Sequence, residues 1–450
     1  MAITTTETIR LAHLLRRAGF GTRPADWETY AALGVAGTTS LLLHPETVTN
    51  HVDTVMHEVE EDFFKLDDRA GIQHAWLYRM ARSEHPLEEK MTLFWHNHFA
   101  TADYKVDNPR LMWRQNQMLR RNSLGSFRTL LKGVASDPAM LIWLDGGQNK
   151  KAQPNENFGR ELLELFTLGV SGGYSEADVK EASRTFTGWQ VEDNKAVFHP
   201  ENYDDGIKRF LGQTGAFTGD DIIDILVKHP ATGRLLATKL FRFFAHDAPA
   251  PKEIDALAHT FLESGYSIRA VVAQILRSPA FFSEVSLYHK WKSPAELTIT
   301  MLRTLDAPLT AFEDLPGSLA SMGQDLFNPP NVKGWPEGRA WINTQTMVVR
   351  MSQAPQLVDG LGERLPSLLD AALQASGRSA DSLDTPDKAI DALWALLLPG
   401  RTPALGPRKA FQAYLRDAPG DDGKVPDFDF QAKAPGLLSL ILMSPEYQLA

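Results

Sequence analysis

Gln153-Pro-Asn-Glu-Asn-Phe-Gly-Arg-Glu-Leu-Leu-Glu-Leu-Phe-Thr-Leu-Gly169 reads as a single helix over 157–168. Pro154 and Asn155 suit a helix start, and Gly169 suits the stop. At 100° per residue, Asn157, Arg160, Glu161, Glu164 and Thr167 share one side, with Phe158, Leu162, Leu163, Leu165 and Phe166 opposite them. The same 3.6-residue rhythm recurs outward in both directions, for example over 48–66, 71–82, 87–98, 231–246, 290–305, 311–322 and 343–358. Ser175-Glu-Ala-Asp178 and Thr218-Gly-Asp-Asp221 are capping-box starts. Alternating patterns are confined to 195–199 and 207–212, which predict one short hairpin. The expected class is therefore all-α, a large multi-helix globular fold with a small β-hairpin insert near 195–212. Faint boundaries suggest a main helical domain over 1–375 and a C-terminal helical subdomain over 376–450 packed on it, with a less constrained edge over 376–404.

Composition bounds the chemistry. The 450 residues are ample for a core, and 43% hydrophobic with 23% charged residues is the make-up of a globular protein. No cysteine is present, which removes disulfides, thiolate catalysis, iron–sulfur clusters and cysteine zinc sites. A net charge of −10 without like-charge blocks argues against a nucleic-acid partner, and Arg110, Arg114, Arg120, Arg121 and Arg128 read as a solvated helix face. No apolar run reaches transmembrane length, so no membrane span is expected. The first residues lack the apolar segment of a signal peptide, which points to the cytoplasm, with export open only if a leader precedes this stretch.

Phe94-Trp-His-Asn-His-Phe-Ala100 sets two histidines among aromatic residues. A spacing of two puts His96 and His98 about 200° apart on a helix, so both could reach one metal ion only at a helix end. A core histidine paired with a surface one is the alternative. Glu161 and Glu164 at i, i+3 project side by side, as carboxylates do in helix-bundle metal sites and acid–base pairs. Arg160 beside them could instead close an ion pair. The loops 142–156 and 323–342 are long enough to be functional. In the second, Asn328, Asn331 and Trp335 could join Trp341, Trp189 and Trp95 in a saccharide or peptide groove, or the tryptophans could pin loops to the core. Arg16 and Arg17 are expected to form ion pairs with such loops.

At these motifs the chain resembles the bacterial domain-of-unknown-function family 1800. The resemblance runs from about Leu11 to Gln448. Besides 94–100 and 154–169, it rests on His13-Leu-Leu-Arg-Arg-Ala-Gly-Phe-Gly21, Tyr174-Ser-Glu-Ala-Asp-Val179, Phe186-Thr-Gly-Trp189, residues 292–296, and Met322-Gly-Gln-Asp-Leu-Phe-Asn-Pro-Pro-Asn-Val-Lys-Gly-Trp335. It implies no settled reaction. It does imply a partner protein of family 1501, and that members are often exported. Tyr203-Asp-Asp-Gly206 stands where the family suggests a His-Asp pair.

Two functions follow as expectations. One is a carboxylate- or metal-assisted hydrolase whose pocket is formed by 94–100, 153–169 and 323–342. There Glu161, Glu164 and His96 would be catalytic, and Asn155, Asn157, Arg160, Asn331 and Trp335 would bind substrate. His96, His98, Glu161 and Glu164 would hold a divalent metal, if one is used. The other is a non-catalytic binding or assembly protein acting with a partner chain. In either case the polar face of 157–168 is expected to be mostly buried against 94–100 and 323–342.

Overall fold

A computed structural model describes residues 5–59, 67–308, 311, 314–379, 383, 385–416 and 429–450. Among the described residues the protein is 65% helical, with two small antiparallel two-stranded sheets, so it is all-α with a β insert. Both predicted capping boxes form: Ser175 with Asp178, and Thr218 with Asp221. The helix expected over 48–66 is observed as His51–Val59, and its remainder, 60–66, lies outside the described residues. That expected over 311–322 is observed as Leu315–Ser321, with 312–313 also outside. Part of the 376–404 edge, 380–382 and 384, is outside too. Among the described residues no helix is long and apolar enough to cross a membrane.

The β insert is two hairpins rather than one. Strand β1 (Trp189–Glu192) pairs with β2 (Lys195–Phe198), and β3 (Lys208–Phe210) with β4 (Gln213–Gly215). Residues 195–199 and 207–212 therefore do not pair with each other. The turns decide this: Asp193 and Asn194 both adopt positive φ, as do Leu211 and Gly212. Two successive left-handed residues make the tight turn whose twist matches paired strands, so each strand closes on its immediate neighbour.

One apolar core runs from Leu14 through Trp76, Trp95, Phe166 and Ile275 to Trp394 and Leu438, including the C-terminal helices. The helix Phe430–Met443 packs on Thr344–Asp359 and on Pro386–Leu397, which also packs on Leu365–Ser376 across the boundary expected at 376. Ser278-Pro-Ala-Phe281 and Ser444-Pro-Glu-Tyr447 share a local geometry. Ser278 and Ser444 each accept from the backbone N–H three residues on, and the residues so placed, Phe281 and Tyr447, are fully buried.

Basic side chains hold the helix ends. Arg17 donates to the carbonyls of Phe243, Phe244 and Ala245, and Lys290 to those of Arg242 and Phe243, where the helix Pro230–Phe244 ends. Arg303 donates to Ala81 and Ser83 at the end of Arg69–Arg82. The last carbonyls of a helix lack intrahelical partners and carry its negative pole, so N–H donors there satisfy the carbonyls and the arginines also meet the pole. Arg16 and Arg17 thus do not form the expected loop ion pairs: Arg17 caps a helix, and Arg16 lies over the Tyr288 ring at 4.2 Å. Burial lowers the Arg17 pKa to about 10.

A second anchor is Glu89, with no solvent exposure. It accepts from Trp76 Nε1 (3.2 Å), Arg79 Nε (3.1 Å), and Arg120 Nε and Nη2 (2.7 and 2.9 Å). Three helices, Arg69–Arg82, Pro86–His98 and Pro109–Arg121, meet on this carboxylate. Burial alone would raise its pKa, but Arg120 and Arg79 outweigh that and hold it below the usual range. Arg120 is thereby turned inward. The expected solvated arginine face is also tied down at Arg114, bonded to Asn194 O, and at Arg128, paired with Asp224.

Candidate functional site: a carboxylate pair on a π-helical turn

The 157–168 segment is not one α-helix. Asn157–Glu161 is α-helical, and Leu162–Thr167 is a π-helical turn. The Leu163 carbonyl accepts from Leu168 N (2.8 Å), and the Leu162 carbonyl from Thr167 Oγ1 (2.5 Å). The wider turn moves later residues off the 100° spacing, which is why Thr167 is buried rather than on the polar side. It also leaves the Leu165 and Phe166 carbonyls to outside donors, Lys239 Nζ (3.3 Å) and His98 Nε2 (3.2 Å). Such turns recur at functional positions because they display side chains that a regular helix would not.

The histidines are committed elsewhere. Lys239 Nζ donates to His98 Nδ1 at 3.0 Å, so both His98 nitrogens are engaged. Burial, then the Lys239 charge, holds its pKa well below the usual range. His96 is walled by Trp76, Phe327 and Trp335, whose ring centroids lie 5.3, 5.4 and 5.3 Å from its own. Among the described residues neither of its nitrogens has a hydrogen-bond partner, and burial pushes its pKa down to about 3. His96 is thus neutral and fixed, and it does not hydrogen-bond to either carboxylate. Among the described residues, no three His, Asp or Glu side chains converge as a metal-binding group, so His96, His98, Glu161 and Glu164 are not assembled as one ligand set.

Asn97, between the histidines, ties the 94–100 segment to the 323–342 loop. Its Oδ1 accepts the Trp335 N–H at 2.7 Å. Gly334 makes this approach possible: its φ is +83°, and a Cβ there would fall 2.2 Å from Asn97 Oδ1. Gly334→Ala is therefore expected to cost about 2 kcal/mol or more, from left-handed strain plus a clash, read as a fall in the urea midpoint. An unchanged midpoint would show that the loop does not need this contact.

The polar face of 157–168 is half-buried, not mostly buried. Asn157 is exposed, while Asn155, Arg160, Glu161 and Glu164 are intermediate. The side that meets 94–100 is the apolar one, through Phe166 against His98 and Phe99 at 6.0 and 5.1 Å. Arg160 is bound to Glu156 and Glu176. Asn157 Nδ2 donates to Asp145 (3.0 Å), and the Asn155 N–H to Asn149 Oδ1 (2.9 Å). Asn331 is exposed, its Oδ1 accepting from Lys333 N within its own turn, and Trp335 is buried. That leaves Glu161 and Glu164, neither of which has a hydrogen bond or ion pair among the described residues. Burial, then the neighbouring Glu164, raises the Glu161 pKa, while Arg160 and Lys333 act the other way. Tyr174 also feels the pair: burial and then Glu164 raise its pKa.

Three participants escaped sequence reasoning. Asn149 is buried, donates to Ser183 O and accepts from Asn155 N, pinning the 142–156 loop. Lys239 serves the π turn. Lys290 lines a narrow cleft with Asn97, Trp291, Trp335, Glu337 and Trp341, where the 94–100, 292–296 and 323–342 motifs meet. Glu89 carried a usable signal, since it lies seven positions before His96, which places both on one helix face. Neither a curated protein nor a solved structure is significantly similar to this chain. One family model, described as a protein of unknown function (DUF1800), matches residues 13–449. With that match covering nearly the whole sequence, the chain belongs to the DUF1800 family.

Proposed function

We propose that the protein is a hydrolase-type acid–base enzyme working at the Glu161–Glu164 pair. The observation that carries the reading is a pair of half-buried carboxylates at i, i+3 that lack partners among the described residues, while Arg160 beside them is paired with Glu156 and Glu176. Glu161, with its raised pKa, is suited to donate a proton, and Glu164 is the second carboxylate placed beside it. Lys333 and Asn331 lie on the loop that Asn97 anchors and are the groups available to orient a substrate. His96 and Trp335 serve in this reading as packing that fixes the loop, and Asn155, Asn157 and Arg160 as supports for the neighbouring turn. A panel of ester, glycoside, amide and phosphoester substrates should reveal turnover that falls at least about 100-fold in Glu161→Gln and in Glu164→Gln. Turnover equal in wild type and both variants on every substrate would overturn the assignment.

One observation favours a second reading, binding or assembly with a partner chain. Asn155, Asn157 and Arg160 are all spent on internal contacts. In that case Glu161 and Glu164 would form part of a docking surface, and the partner of family 1501 would co-purify in stoichiometric amount.

A further inference from the structure

We propose that Lys290 is a nucleophilic amine that captures small aldehydes with a flat, apolar body in the tryptophan-lined cleft. This site is separate from the Glu161–Glu164 pair and stands or falls independently of it. Lys290 Nζ donates to Arg242 O (2.7 Å) and Phe243 O (2.9 Å), and the Phe243 oxygen also accepts from Arg17 Nη2 at 3.0 Å. Two cations therefore meet at one carbonyl. Arginine cannot release its proton under ordinary conditions, so the relief of this crowding falls to the lysine. A neutral amine keeps two N–H groups, enough for both carbonyls, and has one lone pair left over.

The charged groups acting on this amine come from four segments. Burial lowers its pKa to about 7; Arg17 and Lys90 act in the same direction, and Glu296 and Glu337 oppose them. Glu296 is itself paired with Lys90, which weakens its hold on Lys290. The walls are Trp291, Trp335, Trp341, Phe94 and Phe243, with Asn97, Ser293, Glu296, Gln324 and Glu337 as polar groups. Flat aromatic walls select a planar ligand with an apolar face. The lone pair adds to the aldehyde carbon, and a nitrogen proton passes to the oxygen to give the carbinolamine. Loss of the hydroxyl with the remaining N–H proton, released as water, then gives the imine. No oxidant or second substrate is required.

The test treats the full-length protein with benzaldehyde, or with formaldehyde, and cyanoborohydride at pH 6.5, and maps lysine adducts by mass spectrometry. Ordinary lysines are almost fully protonated there, so Lys290 should be labelled at least about tenfold faster than the exposed Lys151, and the preference should vanish in urea. Trp341→Ala should reduce benzaldehyde labelling at Lys290 and leave formaldehyde labelling in place. Labelling of Lys290 no faster than Lys151 with either aldehyde would overturn the proposal. Capture of formaldehyde but not benzaldehyde would overturn the assigned ligand class.

Discussion

Glu89→Ala should be the most damaging of the single substitutions considered, costing about 3–5 kcal/mol, because it strands two buried arginines at once. Arg79 and Arg120 are each under one-tenth exposed, and Trp76 Nε1 would lose its acceptor as well. Glu89→Gln should be nearly as costly: it keeps the shape but replaces a fourfold acceptor with one oxygen and an amide that faces guanidinium groups. Arg79 also pairs with the more exposed Asp53, which retains part of its binding and sets the lower end of the range. In a chain of this length the loss corresponds to a fall of about 5 °C in melting temperature. A Glu89→Ala variant as stable as wild type in urea would refute the role of this carboxylate as the joint of three helices.

Acid should weaken the fold from the histidine range downward, well before the carboxylates titrate. His13, His96 and His98 are buried and held neutral: burial is the main cause in each, reinforced by Arg17 and Arg16 at His13 and by Lys239 at His98. Their folded pKa values lie below the unfolded value, so the stability they supply is complete above about pH 6.5 and is lost as pH falls below it. Each pH unit costs about 1.4 kcal/mol for each histidine, or up to about 4 kcal/mol for the three together. His85 and His199, whose pKa values are raised, offset part of this. Urea midpoints at pH 7.5 and 5.5 should differ strongly, and the ring resonances of His96 and His98 should not titrate between them. Equal midpoints with titrating rings would contradict the assignment of neutral buried imidazoles.

The helices were legible because apolar spacing and capping residues act locally: Ser175 with Asp178 and Thr218 with Asp221 form the boxes their order suggests. What escaped was set at long range. The π turn depends on donors supplied by His98 and Lys239, which are distant in sequence, so the 3.6-residue pattern of Leu162 to Thr167 gave no sign of it. The hairpin pairing was signalled by Asp193-Asn194 and Leu211-Gly212, turn pairs that weigh more than strand patterning. The meeting of 94–100 with 323–342 was expected from motif chemistry, but the residue that makes it is Asn97, while His96 only packs. Arg17 was expected to pair with loop residues and Lys290 was not singled out, because their partners are backbone carbonyls, which no residue pattern reveals.

Thermal melting of the Glu161→Gln/Glu164→Gln double variant beside wild type tests the acid–base assignment most directly. A carboxyl whose folded pKa is raised costs stability when ionised, so at neutral pH its removal restores that cost. The double variant should melt at or up to about 2 °C above wild type, a small shift because both groups are half-exposed. A fall comparable to that of Glu89→Gln would contradict the assignment and make the pair part of a structural network.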